Sequence, residues 1–330
     1  MMRSLVAPAE IPDDSAFTLR RNLSLESLEE ALMNNDIMWL DCVNPEDEEI
    51  RWLEQHLHLH PAVVSDLRRE DRRPALMVYP EYLFLSLFQA RVEKSVIISD
   101  EIHCIIGPNF FLTVRNESSS AVDGAYERAA QNSEYWRRGV IYFLYLAMQF
   151  IIDSYYPLID RISNQLNKLE EQAMVNGGKE LQRSVFRLKQ QLINLRQMVA
   201  PQREVISNVI GEERLSKTSE NRDLFRHLYE RLLRVYDVID AQRDLASNVL
   251  DLIESQEATN LANAVSRLTV ISMIFLPLTF LVGLFGLNFI TTAPEWTIPL
   301  PGDWVFGMIL IITIISGFIL AVYFRKRGWL

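Results

Sequence analysis

The stretch that decides the fold lies near the C-terminal end of the chain, at Thr269–Phe289, and reads TVISMIFLPLTFLVGLFGLNF. It has about twenty residues without a charge, which is the length that an α-helix needs to cross a hydrocarbon core of about 30 Å. A second uncharged stretch of the same length, Trp304–Phe324, reads WVFGMILIITIISGFILAVYF. Because only the short loop 290–303 separates them, the two stretches predict a transmembrane hairpin.

The charges that flank the two spans predict their orientation. Arg267 precedes the first span, and the basic run 325–327 follows the second. The loop 290–303 holds Glu295 and Asp303 but neither lysine nor arginine. Since basic residues concentrate on the cytoplasmic side of a membrane protein, we expect both termini to be cytoplasmic and the protein to be a multi-pass protein of the inner (plasma) membrane.

Composition and motifs exclude several classes of function. The formal net charge of -10 argues against a nucleic-acid partner, because phosphate binding needs a basic surface. The two cysteines, Cys42 and Cys104, have no metal-ligand spacing. The chain contains no glycine-rich phosphate loop, no HExxH and no GxSxG. We therefore expect neither an enzyme nor a permanently bound cofactor.

The rest of the chain predicts a soluble part of two sections. Residues 1–135 mix strand and helix signals, with strands predicted at Leu83–Val92, Val96–Ile106 and Phe110–Val114, and indicate an α/β domain with an antiparallel or mixed sheet. Residues 136–267 are helical in pattern and predict a cytosolic stalk. No proline or glycine occurs from Glu220 up to Pro277, which allows one helix roughly 100 Å long at 1.5 Å per residue. A helix of that length predicts a stalk that associates with copies of itself.

Small and polar residues share one face of the first span. On a wheel of about 100° per residue, Ser272, Thr279, Gly283 and Gly286 fall in a sector about 60° wide, with Leu268 and Leu276 in or beside it. Such a stripe suits a water-filled lumen or close helix packing, and the stripe alone leaves both open. One hairpin cannot enclose a pore, so the lumen interpretation predicts a ring of copies.

The first span ends in Gly286-Leu287-Asn288, and Glu295 follows in the loop. A ring of Asn288 carbonyl oxygens could hydrogen-bond the waters of a hard cation without the tight grip of a carboxylate cage. Glu295 could attract cations before entry. The alternative interpretation is that Gly286-Leu287-Asn288 forms an ordinary helix C-cap. The residues 268–330 thus form the predicted third part, a hairpin with an outer loop and a basic C-terminus.

At these residues the sequence resembles the CorA family of magnesium transporters and its zinc-transporting relatives of the ZntB type. The first span, Pro294-Glu295 and the basic ending 325–330 are similar to the family's pattern. Upstream similarity is found at His60-Pro61, Asp66, Arg73-Pro74, Tyr82-Leu83-Phe84 and the stretch 200–204.

The resemblance implies an α+β cytosolic domain with long stalk helices, a two-helix transmembrane hairpin and a homopentameric, funnel-shaped assembly. It implies that Asn288 binds hydrated cation at the pore mouth, and that Thr279, Leu276 and Leu268 contact the pore. The cargo would be a divalent cation such as Mg²⁺, Co²⁺, Ni²⁺ or Zn²⁺.

Two departures from the family pattern bear on the ion. The usual Gly-Met-Asn is Gly-Leu-Asn here, and branched residues at the middle position resemble the zinc-type members. In the stalk, His227 stands where magnesium-regulated members carry an aspartate, with Asp223 and Glu230 one turn away. Histidine is a poor ligand for Mg²⁺ and a good one for Zn²⁺. Mg²⁺/Co²⁺ transport, ZntB-type Zn²⁺ transport with or without proton coupling, and a non-conducting membrane sensor or scaffold all stay open.

Overall fold

A computed structural model describes residues 2–11, 17–68, 73–93, 96–175, 178–286 and 302–326 of the chain. Its strands are β1 (Met2–Ala7), β2 (Arg20–Arg21), β3 (Ile37–Val43), β4 (Ala75–Val78), β5 (Leu83–Glu93), β6 (Val96–Ile106) and β7 (Phe110–Arg115). Its helices are α1 (Leu25–Met33), α2 (Asp47–His56), α3 (Pro61–Leu67), α4 (Ser120–Gln131), α5 (Ser133–Arg137), α6 (Val140–Val175), α7 (Lys179–Gly211), α8 (Ser219–Gly286) and α9 (Gly302–Lys326).

The strands form one mixed sheet in the order β2-β1-β3-β7-β6-β5-β4. The pair β3–β7 is parallel, and the other neighbouring pairs are antiparallel. The strands predicted at β5, β6 and β7 are confirmed. The turn between β6 and β7 needs Gly107, because a Cβ there would collide with the Phe110 ring. Sequence reasoning missed β1, β2 and β4, which are short or lie at an edge of the sheet.

Helices cover both faces of the sheet. On one face, α1, α2 and α3 pack their apolar residues against Met38, Leu40 and Phe84 of the strands. On the other, Trp39 contacts Phe111 of β7, Tyr126 of α4 and Phe143 of α6, with ring centroids 5.1 to 5.5 Å apart. The apolar stretch Val140–Ile152, about thirteen residues long and so too short to span a membrane, forms the start of α6 and is largely buried.

A buried ionic network lies beside Trp39. Asp41 of β3 is 0% exposed and Arg115 of β7 is 2% exposed. Arg115 Nη2 donates to Asp41 Oδ2 at 2.9 Å and to Asp123 Oδ1 of α4 at 2.6 Å. Arg3 of β1 donates to the same two carboxylates at 2.8 and 2.5 Å. Burial opposes the charge of Arg115, but the hydrogen bonds and charges of Asp41 and Asp123 outweigh it, so the pKa of Arg115 is raised.

The predicted long helix is confirmed as α8, with 68 residues. Apolar residues of its first half are buried at intervals of seven and of three or four: Phe225, Leu228, Leu232, Val235, Ile239, Ala246, Val249 and Ile253. This spacing is typical of coiled-coil packing. Polar contacts fix the same helix, since Arg231 pairs with Asp153 of α6, and Arg196 of α7 donates to the Tyr236 hydroxyl at 2.7 Å.

The chain divides into two compact units. The first holds the sheet, its covering helices, most of α6, α7 and the part of α8 up to Leu250. The second holds α8 from Asp251, α9 and the end of α6 from Ala173.

One helix of the described residues, α8, is long and apolar enough within Ser219–Phe280 to cross a membrane by length and composition. Only 6% of its most apolar 18-residue segment is buried, whereas the core helix of a soluble protein is mostly buried. The second predicted span, Trp304–Phe324, lies within the helix α9.

Candidate functional site

The first span presents two different faces. Leu268 and Leu276 are 64% and 73% exposed, and Ser272, Thr279 and Gly283 are exposed as well. Val270 is 0% exposed, and Ile274, Pro277 and Leu278 are half-buried. At about 100° per residue the centres of these two sets lie on roughly opposite sides of the helix. The predicted stripe therefore lies within the wide face that a single chain leaves uncovered, which also holds the exposed apolar residues Ile271, Met273, Phe275 and Phe280.

Helix α9 packs against the side of α8 opposite the stripe. The clearest contact is at Gly317, where a Cβ would lie 3.6 Å from Leu278 Cδ1. A Cβ on Gly283, in contrast, would meet no atom within 4 Å among the described residues. Among the described residues, close packing within one hairpin therefore does not account for Gly283, which leaves lipid, other copies of the chain or a lumen to cover this position.

The hydroxyl groups on the stripe are oriented by their own helix. Ser272 Oγ donates to the Leu268 carbonyl, and Thr279 Oγ1 donates to the Phe275 carbonyl, both at 2.9 Å. These bonds use the hydroxyl hydrogens and satisfy them inside an apolar environment. The oxygen lone pairs stay available, so each hydroxyl could accept a hydrogen bond from a water molecule.

The outer end of the predicted pathway lies only partly within the described residues. Helix α8 ends at Gly286, so the backbone stays helical up to the first residue of the Gly-Leu-Asn motif. Leu287, Asn288 and Glu295 lie outside the described residues.

The stalk residues proposed for metal binding do not form a site within one chain. His227, Asp223 and Glu230 are exposed on α8, and Asp223 Oδ1 lies 3.6 Å from Arg226 Nη1. Within the described part of the chain, no group of three His, Cys, Asp or Glu side chains could hold a metal ion. A site at His227 with three such ligands would therefore need ligands from beyond the described residues of this chain.

Three other histidines, in the HLHLH sequence at 56–60, have structural contacts. His56 Nδ1 lies 2.9 Å from the Trp52 carbonyl, and its ring stacks on Trp52. His60 caps α3 by accepting from the Ala62 amide at 3.1 Å. His58 adopts a positive φ of 49° after the end of α2. These contacts explain the histidines without a metal.

Sequence reasoning stopped the stripe at Leu268, and upstream of it α8 is exposed on every side from Glu257 to Thr269. Leu261 and Val265 are 67% and 54% exposed, large values for apolar side chains. The signal that could have found them is the interval of three or four residues that links Leu261, Val265, Leu268 and Ser272.

Comparison with known proteins finds a matching family model and relatives that cover most of the chain. The family model "CorA-like Mg2+ transporter protein" matches residues 34–326. The cobalt/magnesium transport protein CorA of Thermotoga maritima is 28% identical over 280 residues, covering 82% of this chain and 77% of its own. The CorA magnesium transporter of Methanocaldococcus jannaschii has a similar structure, with a TM-score of 0.79 at 18% identity, covering 99% of this chain and 98% of the other. The full-length CmaX protein gives a TM-score of 0.71 at 18% identity, covering 99% and 97%.

The structural likeness establishes the shared fold, an α/β domain with long helices, and the match of the family model to most of the chain establishes the relationship. The chain belongs to the CorA family of membrane metal-ion transporters.

Proposed function

We propose that this protein conducts divalent cations across the membrane through a pore that the first span of several copies lines. The observation that carries the proposal is the bare stripe of α8, Leu268, Ser272, Leu276, Thr279 and Gly283, which lies opposite the side packed by α9. A ring of copies, most simply a pentamer as in the family, turns this face into a lumen. Residues 1–135 would form the cytosolic domain, 136–267 the stalk and 268–330 the membrane hairpin, with both termini cytoplasmic.

The chemistry of the stripe favours a cation that keeps its water shell. Mg²⁺ loses water reluctantly and usually keeps several water ligands in protein sites. Hydroxyl and amide oxygens can hydrogen-bond those waters without binding the ion directly, so the ion can also leave. In this mechanism Asn288 selects the hydrated ion at the outer mouth, Glu295 attracts it, and Thr279 and Ser272 accept hydrogen bonds from its waters further in.

The spans offer no group for proton exchange. Neither Thr269–Phe289 nor Trp304–Phe324 contains Asp, Glu, His, Lys or Arg. Membrane proton relays are built from such side chains. This supports movement of the cation down its electrochemical gradient, and it counts against the proton-coupled alternative.

A flux assay on the purified protein in liposomes tests the proposal. Uptake of Mg²⁺, Co²⁺, Ni²⁺ and Zn²⁺ is compared with and without a pH gradient, and empty liposomes serve as the control. We expect flux of at least one of these ions that a pH gradient leaves unchanged. Absence of flux for all four ions would instead support a sensor or scaffold.

The proposed lumen predicts a homo-oligomer. We expect the mass of the purified protein in mild detergent, measured by light scattering with the detergent subtracted, to equal about five chains of 38.3 kDa. The reason is geometric, since the two helices of one hairpin cannot enclose a lumen. A stable monomer or dimer at micromolar concentration would rule out the lumen.

His227 leads to a prediction about gating. A ligand shifts a conformational equilibrium only by its difference in affinity for the two states. Imidazole in place of a carboxylate removes a hard oxygen ligand and a negative charge from every copy, so millimolar Mg²⁺ should not hold this protein closed. Limited proteolysis should therefore proceed at the same rate with and without millimolar Mg²⁺.

The matched control for this experiment is His227→Asp, which restores the family's carboxylate. We expect Mg²⁺ to slow proteolysis of the variant but not of the wild type. Strong protection of the wild type by Mg²⁺ would contradict the role given to His227 and would direct attention to Asp223 and Glu230.

A further inference from the structure

The helices α6 and α7 each contain a proline in their interior. Pro157 lies within α6 and Pro201 within α7. Proline has no amide hydrogen, so the carbonyl groups of Asp153 and Gln197 lose the hydrogen bonds that residues 157 and 201 would otherwise donate to them. Helices bend sharply at such positions far more often than elsewhere. Each proline is therefore a point at which its helix bends readily.

The two prolines lie at the same level of the α6–α7 pair. Gln202 Nε2 donates to Tyr155 Oη at 2.6 Å, which fixes the register of the two helices. Pro157 follows Tyr155 by two residues, and Pro201 precedes Gln202 by one. At a rise of about 1.5 Å per residue, both prolines lie within about 3 Å of that contact along the helix axes. The weak point of one helix is therefore beside the weak point of the other.

The prolines divide the pair into two sections. The near section is 140–156 of α6 with 202–211 of α7, and the far section is 158–175 of α6 with 179–200 of α7. The near section is tied to the sheet, because Phe88 N of β5 donates to Gln202 Oε1 at 3.3 Å and Tyr155 Oη donates to the Phe88 carbonyl at 2.6 Å. Tyr155 is 0% exposed and Gln202 is 3% exposed. The three residues form a closed ring of buried hydrogen bonds immediately beside the prolines.

The far section is held less tightly than the near section. From Phe143 to Ile152, α6 buries every residue except Gln149 and Phe150. Beyond Pro157, the described side chains of α6 that are buried are only Ile159, Ile162, Leu166 and Ala173. A cavity of about 70 Å³ separates the start of the far section from the strands β5 and β6, and its lining includes Val92, Ile97, Leu158, Ile162 and Gln191. The far section therefore has room to move against the sheet.

We propose that Pro157 and Pro201 form a paired hinge, at which the far section bends as one piece relative to the sheet while the near section stays fixed to it. The far section is tied to α8, because Arg196 donates to the Tyr236 hydroxyl at 2.7 Å and its Nε lies 2.8 Å from Asp240 Oδ1. Helix α8 has no proline or glycine at this level and so has no matching weak point. The hinge lets the far section follow α8 when that helix tilts against the sheet. The inference is independent of whether the protein conducts cations.

Distances between spin labels test the hinge in the wild-type background. One label is placed at Met33→Cys, which is 74% exposed on α1, and the other at Asn167→Cys, exposed on the far section. Labelled copies are diluted with unlabelled ones, so that only distances within one chain are measured. Asn167 lies ten residues, or about 15 Å, beyond Pro157, and a bend of about 20° moves it by about 5 Å.

A label pair on one side of the hinge provides the control. Asn208→Cys, exposed on the near section, is paired with the same label at Met33→Cys. We expect the distribution of distances from 33 to 167 to be about 5 Å broader than that from 33 to 208. The natural cysteines should not react, because Cys42 and Cys104 are buried and burial raises the pKa of both thiols. Equal widths for the two pairs would overturn the proposal, and this comparison needs no variant of the prolines.

Replacement of the prolines identifies the hinge. The double variant Pro157→Ala, Pro201→Ala supplies both missing amide hydrogens, so the distribution from 33 to 167 should narrow to the width of the control pair. Pro61→Ala serves as the matched control, because Pro61 stands at the start of α3, where no helical hydrogen bond is lost. It should leave the distribution unchanged. A broad distribution that persists in the double variant, or that narrows equally in Pro61→Ala, would overturn the paired hinge.

Discussion

Asn288→Ala should abolish cation flux while the oligomer assembles normally. Asn288 is proposed to supply the ring of carbonyl oxygens that hydrogen-bonds the water shell of the entering cation, and alanine has no oxygen to replace it. A hydrogen bond that involves a charged group contributes about 1.5–3 kcal/mol, and each copy loses one. The rate should therefore fall by about ten- to a hundredfold for one bond, and further for the ring.

The experiment compares three proteins whose oligomers have the same mass in detergent. Flux is measured for the wild type, for Asn288→Ala and for Asn263→Ala. The last variant removes an exposed asparagine of α8 that lies about 170° from the centre of the stripe. Asn263→Ala should conduct like the wild type. Flux at the wild-type rate in Asn288→Ala would exclude the amide ring as the selective element, whereas loss in both asparagine variants would indicate a general effect on α8.

Arg115→Met should strongly destabilise the first unit of the chain. Methionine keeps much of the length of the side chain but removes the charge, which leaves the fully buried Asp41 with Arg3 as its remaining cation. Breaking a buried ion pair by removing one partner costs about 3–5 kcal/mol. In a unit of this size that corresponds to a fall in Tm of roughly 6–20 °C. Thermal unfolding in detergent, followed by tryptophan fluorescence, measures the change.

An exposed ion pair of the same unit provides the control. Arg138 is 38% exposed and lies 3.4 Å from Glu134 and 3.3 Å from Glu220. Because exposed pairs contribute at most about 1 kcal/mol, Arg138→Met should change Tm by only a few degrees. Equal shifts in the two variants would mean that the Asp41 network contributes no more to stability than a surface pair.

The α/β domain shows where sequence reasoning stopped. The strands β5, β6 and β7 were predictable because each is a run of β-branched and apolar residues bounded by turn residues. Strand β1 was not predictable, because its six residues, MRSLVA, carry no such signal and are ordered by pairing with β3, whose partner residues lie 30 to 40 positions further along the chain. The Asp41–Arg115 pair is likewise separated by 74 residues, and it forms because β3 and β7 lie side by side in parallel.

For the helices α8 and α9, the sequence by itself determined the two apolar spans, the long uninterrupted helix and the stripe of small and polar residues. Those properties depend on length, on the absence of charge and of helix breakers, and on helical periodicity, which are all local. The sequence left open whether the stripe packs against the second helix of its own hairpin or faces outward. Only the tertiary structure decided that, because it depends on which side of α8 the residues around Leu278 turn towards α9.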